Sequence, residues 1–326
     1  MIITIYDIDY NGKTGKKKYD FIKKQYRKCI LNFKGNKRIK FDEIKIKNDN
    51  LINIINNDVI NLDKIKIIIF NYGEDNPLSK LYINSCIDIY NFIKRKYNKI
   101  KIFNDPHNHN IISDNYITYS KLKNNKLINI PDFNLIKDIN DVKQINKFPI
   151  IVSKRQQTGG KEKFKINCVN EFDNIEYKNK YWCKFYDSFL PNTKYRIGIR
   201  LFIYNNILID YSCRPSLEWN IHNGNQIKDV TILKKADDFF KDYIKNNNDF
   251  QSMLDELYKI LGNGLYGHDF ILHNNKLILC ELGYKTLDQS LMKFHKENNL
   301  LNILPHKICN DFEKVHKTYK NLILNE

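Results

Sequence analysis

Three short, almost wholly apolar runs in the first third of the chain, MIITIYDI, KIKIIIFNY and NKIKIFND, alternate with two amphipathic stretches, DFIKKQYRKCILNF and SCIDIYNFIKRKY. The isoleucine-rich runs are too short for helices and read as strands, and the stretches between them read as helices. Strand–helix alternation makes neighbouring strands parallel, because each crossover returns the chain to the same end of the sheet. The first third therefore specifies a small parallel α/β unit, followed by a loop at NDPHNHN.

A chain of 326 residues can hold two or three domains, and 42% hydrophobic with 13% aromatic residues is ordinary globular composition. No apolar run approaches the roughly 20 residues that a membrane-spanning helix needs. The start MIITIYDIDYNGKTGKKK lacks the basic flank, apolar core and small-residue cleavage site of a signal peptide. The 7 cysteines are odd in number and form no CxxC, which argues against a disulfide framework or a zinc site and for a reducing, cytoplasmic setting. The net charge of +17 is spread through a chain saturated with Lys, Asn and Ile, as an AT-rich coding sequence would leave it. Without a basic stripe, that charge disfavours a nucleic-acid partner and suits small anionic substrates.

The middle of the chain opens with YITYSKLKNNKLINIPDF, a short helix leading into an extended stretch, and continues with FPIIVSKRQQTGGKEKFKI, which reads as strand, glycine loop, strand. YKNKYWCKFYDSF is a further strand entering a connection. The remainder holds long strands in KYRIGIRLFIYNNILIDYSCR, a helical stretch ADDFFKDYIKNNNDFQSMLDELYKILG, a hairpin in YGHDFILHNNKLILCELGYKT and a C-terminal helix in ILPHKICNDFEKVHKTYKNLIL. No internal repeat is visible.

Three of these segments carry chemistry. In the first, a buried strand delivers Lys154 and Arg155 beside Gly159-Gly160; glycines let backbone N–H groups approach a phosphate, and the basic residues neutralise its charge. The P-loop pattern GxxxxGK[ST] is absent. In the second, Arg196, Arg200 and Arg214 sit at even spacings, so they can project from one face of a sheet, where arginines need anionic partners. The third is the hairpin, with one acid in each strand, Asp269 and Glu281. A two-residue turn at Asn274-Asn275 pairs His273 with Lys276 and turns Asp269 away from Glu281. A three-residue loop pairs His273 with Leu277 and sets the acids face to face, their Cβ atoms about 5 Å apart. The sequence leaves both registers open. Face to face, the acids suit a divalent cation of the kind held together with phosphates; the competing reading is two unrelated edge acids paired with lysines.

Taken in order, FPIIVSK with TGGK, YWCKFYD, YRIGIRLF with DYSCRPS, EWNIHNG and GHDFILHNNKLILCELG resemble the ATP-grasp superfamily, in particular the branch of glutathione synthetase and the ribosomal-protein glutamate ligases. The resemblance covers roughly residues 100 to 295. It implies an α/β fold, α+β overall: an N-terminal parallel α/β domain at 1–112, a small strand-loop-strand lid at 113–187 and a larger antiparallel-sheet catalytic domain at 188–326. It implies ATP as cofactor, contacted by Lys154 and Arg155, with Thr158, Gly159, Gly160 and Lys161 closing over the phosphates. Lys184, Phe185 and Tyr186 would line the adenine edge, with Asp187 near the ribose. Arg196 or Arg200 would hold phosphate or a substrate carboxylate, and Arg200 and Arg214 would be catalytic, Arg214 stabilising the transferred phosphoryl. Asp269 and Glu281 would hold Mg²⁺, with Mn²⁺ as a substitute. Trp219, Asn220 and His222 would border the substrate pocket. Two positions depart from the family pattern: Gly283 stands where the final acidic hairpin usually carries a metal-ligating asparagine, and Asp114-Asn115 where Asp-Lys often precedes the lid. Asp288 could supply a replacement ligand.

The resemblance implies an ATP-dependent carboxylate–amine ligase working through an acyl phosphate. Its partners would be a small-molecule or peptide carboxylate and an amine acceptor, with no membrane role and a homo-oligomer left open. Two other readings remain: an ATP-grasp kinase acting on a polyol phosphate, or a catalytically silent nucleotide- or nucleic-acid-binding protein.

Overall fold

The computed structural model describes residues 1–6, 36–40, 44–54, 58–71, 80–155, 162–222, 225–227, 229–284, 297, 303–304, 307–308 and 312–325. The first sheet begins with β1 (Ile2–Tyr6) and β2 (Asn36–Lys40). A small antiparallel meander follows, β3 (Ile44–Lys47), β4 (Asn50–Asn53) and β5 (Asp58–Ile60), and the first sheet is completed by β6 (Ile67–Asn71) and β7 (Lys101–Phe103). Its order is β2-β1-β6-β7, every pair parallel. The crossover to β7 is α1 (Lys80–Lys96). The expected strands and this helix are therefore present, whereas β2 and the meander were not anticipated; the helix expected over 20–33 lies outside the described residues.

The continuous isoleucine runs follow from burial on both faces. Ile3, Ile5, Ile68, Phe70 and Ile102 pack against Ile83, Cys86, Ile89 and Ile93 of α1. Ile2, Ile67, Ile69 and Phe103 face the other way, into a cluster with Val315, Tyr319 and Ile323 of the C-terminal helix. The segment NDPHNHN is a helical corner rather than a plain loop: a turn at Pro106–Asn108 runs into α2 (His109–Ser113), with Asp105 accepting from the His107 N–H at 2.9 Å. A third short helix, α3 (Asn115–Leu122), starts at the Asp114 cap.

The second sheet consists of β8 (Phe133–Ile136), β9 (Ile150–Ser153), β10 (Phe164–Ile166) and β11 (Lys180–Lys184), in the order β10-β9-β11-β8 with antiparallel pairs. One face of it, Ile150, Val152 and Ile166, packs on Val142 of α4 (Ile139–Lys143), on Ile145 and on Phe172. The loop at 156–161 that joins β9 to β10 lies outside the described residues.

The third sheet is antiparallel: β12 (Arg196–Tyr204), β13 (Ile207–Ser216), β14 (Leu265–His273) and β15 (Lys276–Glu281), in the order β13-β12-β14-β15. Alternation along the strands sorts it into two faces. Ile197, Ile199, Leu201 and Ile203 of β12, with Tyr266, Phe270 and Leu272 of β14, pack on α5 (Val230–Asn246) and α6 (Phe250–Leu261) to form the largest core. The opposite face carries Arg196, Gly198 and Arg200 and is the one that matters below. The helical stretch is thus two helices, broken around Asn247–Asp249, and the chain's last described element is α7 (Phe312–Leu324). No helix among the described residues is long and apolar enough to cross a membrane.

Gly264 enters β14 where a Cβ would overlap the Tyr266 ring. That ring cannot swing aside freely, because its hydroxyl donates to the Leu261 carbonyl at 2.9 Å and the Gly262 carbonyl at 3.1 Å. Gly264→Ala is expected to destabilise the protein by about 1–3 kcal/mol, measured as a lowered denaturant midpoint at unchanged slope.

Candidate active site

The hairpin answers the question of register in an unexpected way. Asn274 and Asn275 both adopt the left-handed conformation, with φ of 47° and 57°, which makes a tight two-residue turn, and His273 pairs with Lys276. Carried along the strands unbroken, that register would set Asp269 opposite Cys280. The register instead shifts between Phe270, which pairs with Leu279, and Asp269, which pairs with Glu281. Cys280 is the extra residue of a β-bulge. The two acids are therefore face to face despite the two-residue turn, a combination neither simple register contains. Beyond the bulge, the Gly267 N–H donates to the Gly283 carbonyl at 2.9 Å and holds the new register.

Pairing across the sheet brings three charged side chains together on this face. Arg200 stands opposite both Ser212 and Asp269, and Arg214 stands opposite Gly198. Arg200 grips Asp269 in a fork, Nε to Oδ1 and Nη2 to Oδ2, each at 2.7 Å, while Arg214 Nη2 reaches Oδ1 at 2.7 Å. The side chains are 8%, 19% and 6% exposed for Arg200, Asp269 and Arg214, so the array is largely withdrawn from water. On the helix side of the same strand, burial lowers His268 to a pKa of about 3, which keeps it neutral beneath Asp269.

A carboxylate offers about four lone-pair positions. Arg200 and Arg214 take two on Oδ1 and one on Oδ2. Glu281 supplies the second carboxylate. Among the described residues no group of three or more His, Cys, Asp or Glu side chains converges as a metal site, and Gly283 brings no side chain. The donor set fits a Mg²⁺ that keeps several waters and takes phosphate oxygens rather than one caged by protein alone.

The second sheet faces this hairpin. Leu279 N–H donates to the Asn129 carbonyl at 2.9 Å, so the chain between α3 and β8 covers the open edge of β15. The Tyr119 hydroxyl donates to the Cys280 carbonyl at 2.9 Å. Tyr119, Tyr181 and Cys183 pack together. Burial raises the pKa of both tyrosines, with Glu281 adding to the effect, and pushes the Cys183 and Cys280 thiols up to about 12. Lys163 stands close enough to both thiols to pull against that rise.

The connection from β11 into β12 borders the same cleft. Lys184 lies over the Tyr186 ring at 5.2 Å, Lys165 over Phe185 at 4.0 Å, and Phe185 meets Trp219 edge-on at 6.2 Å. Tyr186 packs against His273 at 5.0 Å. Asp187 Oδ1 accepts from Arg196 Nε at 2.7 Å, so Arg196 is held at the rim, apart from Asp269. The loop carrying Trp219, Asn220 and His222 folds back over the sheet: Ile221 occupies the notch at Gly198, where a Cβ would lie 3.1 Å from its methyl. Asn225 ties this loop, its amide donating to the Asn220 carbonyl at 2.7 Å and its Oδ1 accepting from the His222 N–H at 3.0 Å. Lys154 and Arg155 diverge. Lys154 pairs with Glu162 across the mouth of the glycine loop, while Arg155 turns to Asp114, at 2.8 Å from Nη2, and lies over Tyr116 at 5.2 Å. Gly159, Gly160 and Lys161 lie outside the described residues, as does Asp288. Sequence reasoning gave no role to Gly198, Ser212 or Gln226, although the even spacing that joins Arg196, Arg200 and Arg214 also takes in Gly198 and Ser212.

A parallel α/β sheet, a small antiparallel sheet with a glycine-loop hairpin and a large antiparallel sheet with its charged face turned to the cleft together define the ATP-grasp fold, and the chain has that fold. It superposes on D-alanine–D-alanine ligase from Bacillus anthracis with a TM-score of 0.55 at 11% identity, covering 100% of this chain and 98% of that one. A RiPP-associated ATP-grasp ligase from Chryseobacterium gregarium, solved with ADP and a leader and core peptide, gives a TM-score of 0.51 at 12% identity over 98% of this chain and 97% of that one. In sequence, the chain is 25% identical over 209 residues to the uncharacterized protein MG011 of Mycoplasma genitalium, a match covering 64% of this chain and 66%, just under two thirds, of that protein. No protein-family model matches.

Asp269→Asn is expected to cost about 3–5 kcal/mol, because it leaves two buried guanidinium groups on a neutral partner. Glu281→Gln should cost clearly less. Urea denaturation of the two variants side by side checks the order.

Proposed function

We propose that this chain is an ATP-dependent ligase that joins a carboxylate to an amine. The observation that carries the reading is the Arg200–Asp269–Arg214 array opposite Glu281 on the cleft face of an ATP-grasp sheet. Chemistry of this kind needs positioned charge rather than a strong base. A substrate carboxylate oxygen attacks the γ-phosphorus of ATP and ADP departs, giving an acyl phosphate. The amine nitrogen then bonds to the acyl carbon, inorganic phosphate leaves with the bonding pair, and the nitrogen sheds its proton to water.

In this reading Arg200 and Arg214 hold the phosphoryl oxygens and the substrate carboxylate. Lys154, Arg155 and the loop with Gly159, Gly160 and Lys161 close over the phosphates, while Lys184, Phe185, Tyr186 and Asp187 border the nucleoside and Arg196 the rim. Asp269 and Glu281 would hold Mg²⁺, which when bound would neutralise phosphate charge. Trp219, Asn220 and His222 border the acceptor. Solved ligases of this fold include one with a leader and core peptide, which supports a peptide as well as a small molecule among the substrates.

A second reading, a nucleotide binder without turnover, is favoured by Asp269 being engaged by both arginines and by Gly283 in the place of a ligand. Phosphate release from ATP separates the two. The ligase releases phosphate only with both a carboxylic acid and an amine present, and Glu281→Gln lowers the rate by about 100-fold or more while the protein stays folded. Full activity in Glu281→Gln would remove the acid pair from the reaction, ADP with a phosphorylated alcohol would indicate a kinase, and Mg-ATP stabilisation without turnover would establish the silent binder.

A further inference from the structure

The bulge at Cys280 decides where Glu281 stands. Carried unbroken from the turn, the register would set Cys280 opposite Asp269 and Glu281 opposite His268, on the side that packs into the core. The cost of burying a carboxylate there keeps Glu281 on the cleft side. It does not set the spacing between the two carboxylates along that face. The spacing depends on how firmly the extra residue is held, because a bulge disrupts the ladder that would otherwise fix it.

Hydrogen bonds grip the strand on both flanks of the bulge. Before it, the Leu279 N–H donates to the Asn129 carbonyl at 2.9 Å, and the Asn129 amide donates to the Leu277 carbonyl at 3.2 Å. Beyond it, the Gly283 N–H donates to His268 Nδ1 at 3.3 Å. At the bulge itself, the Cys280 carbonyl accepts from the Tyr119 hydroxyl at 2.9 Å.

Tyr119 is fully withdrawn into the wall between the sheets, 2% exposed. Burial raises its pKa, so the hydroxyl stays protonated and remains a donor. The second sheet fixes where that hydroxyl sits. The Tyr119 ring lies 5.4 Å from Phe133 of β8 and 6.1 Å from Tyr181 of β11. The Tyr181 hydroxyl in turn accepts from the Asn115 amide at 3.3 Å, at the start of the helix that carries Tyr119. Two strands and a helix therefore aim one O–H at the backbone of the residue immediately before Glu281.

We propose that Tyr119 is a positioning residue for the acid pair: its hydroxyl pins the Cys280 carbonyl and so fixes the spacing of the Glu281 and Asp269 carboxylates. The inference deepens the ligase reading above and rests on it, because in that reading the two carboxylates share Mg²⁺. A cation of this kind demands near-ideal geometry, and ligand distances that wander by more than about 0.2 Å weaken it. Tyr119 acts through the backbone of Cys280, so its effect falls on the metal and not on the nucleotide.

Calorimetric titration of the full chain with ADP, once in EDTA and once in Mn²⁺, tests the proposal. The ratio of the two Kd values isolates the contribution of the metal. Tyr119→Phe keeps the ring and removes the hydroxyl. Its Kd for ADP in EDTA should stay within about twofold of the wild type, while the Mn²⁺ enhancement should fall about tenfold, as for one lost hydrogen bond. Gly264→Ala, which loosens the start of β14 away from the bulge, should keep the full enhancement. An unchanged enhancement in Tyr119→Phe overturns the proposal and leaves the ligase reading standing. An enhancement lost equally in Gly264→Ala also overturns it, since general loosening then explains the loss. Affinity in EDTA that falls as far as affinity in Mn²⁺ would put Tyr119 in nucleotide binding or in the fold at large, and the proposal falls. A wild type whose ADP affinity ignores Mn²⁺ would take the metal away from the acid pair, and one that binds no ADP would overturn the ligase reading; either result removes the proposal with it.

Discussion

The pairing of Asp269 with Arg200 and Arg214 is the interaction around which the cleft is organised. Two guanidinium groups withdrawn from water on an otherwise apolar sheet would each carry a desolvation penalty of several kcal/mol. One carboxylate, gripped in a fork by Arg200 and touched by Arg214, offsets much of it, and the array keeps a net positive charge. Glu281, paired with Asp269, brings the four groups to formal neutrality, and in so poorly hydrated a place charges act on one another more strongly than they would in water. The array also fixes geometry, because Arg200, Arg214 and Asp269 come from three different strands and are held to one another as well as to the ladder.

Around that array the sheet separates its tasks by parity. Odd-numbered positions of β12, from Ile197 to Ile203, build the core against α5 and α6, and even-numbered positions from Arg196 to Arg200 face the cleft. Gly198 is the exception that completes the pattern: without a side chain it admits Ile221, and through Ile221 the loop of Trp219 and His222 sits over the charged face. One missing Cβ therefore decides how close that loop comes to the arginines.

Much of this was legible in the sequence. Isoleucine runs alternating with amphipathic stretches gave the parallel sheet because burial on both faces demands them, and even spacing gave the common face of Arg196, Arg200 and Arg214. The meander of β3 to β5 was hidden, since its alternating Ile and Asn are also what biased composition produces, and Val59 on its outer side is 61% exposed. The bulge at Cys280 was illegible for a different reason. Asn-Asn argued for one register and the acid pair for the other, and the reconciling device is a single residue with no chemical signature. Side-chain partners were the least legible: nothing in KR says that Lys154 turns to Glu162 and Arg155 to Asp114, because those choices depend on segments far apart in the chain.

The cluster in which α7 meets the first sheet bears on how the protein can be made. Ile2, Ile67, Ile69 and Phe103 emerge early from the ribosome, yet Val315, Tyr319 and Ile323, which cover that side, are synthesised only after the whole antiparallel sheet of β12 to β15. Until then that flank of the nascent parallel sheet is covered only in part, the described residues of the intervening sequence that reach it being Tyr204, Leu265 and Ile209. Closure of the earliest-made layer by a late-made helix turns assembly into a single concerted event, and it makes the nascent chain a natural client for chaperones through most of its synthesis.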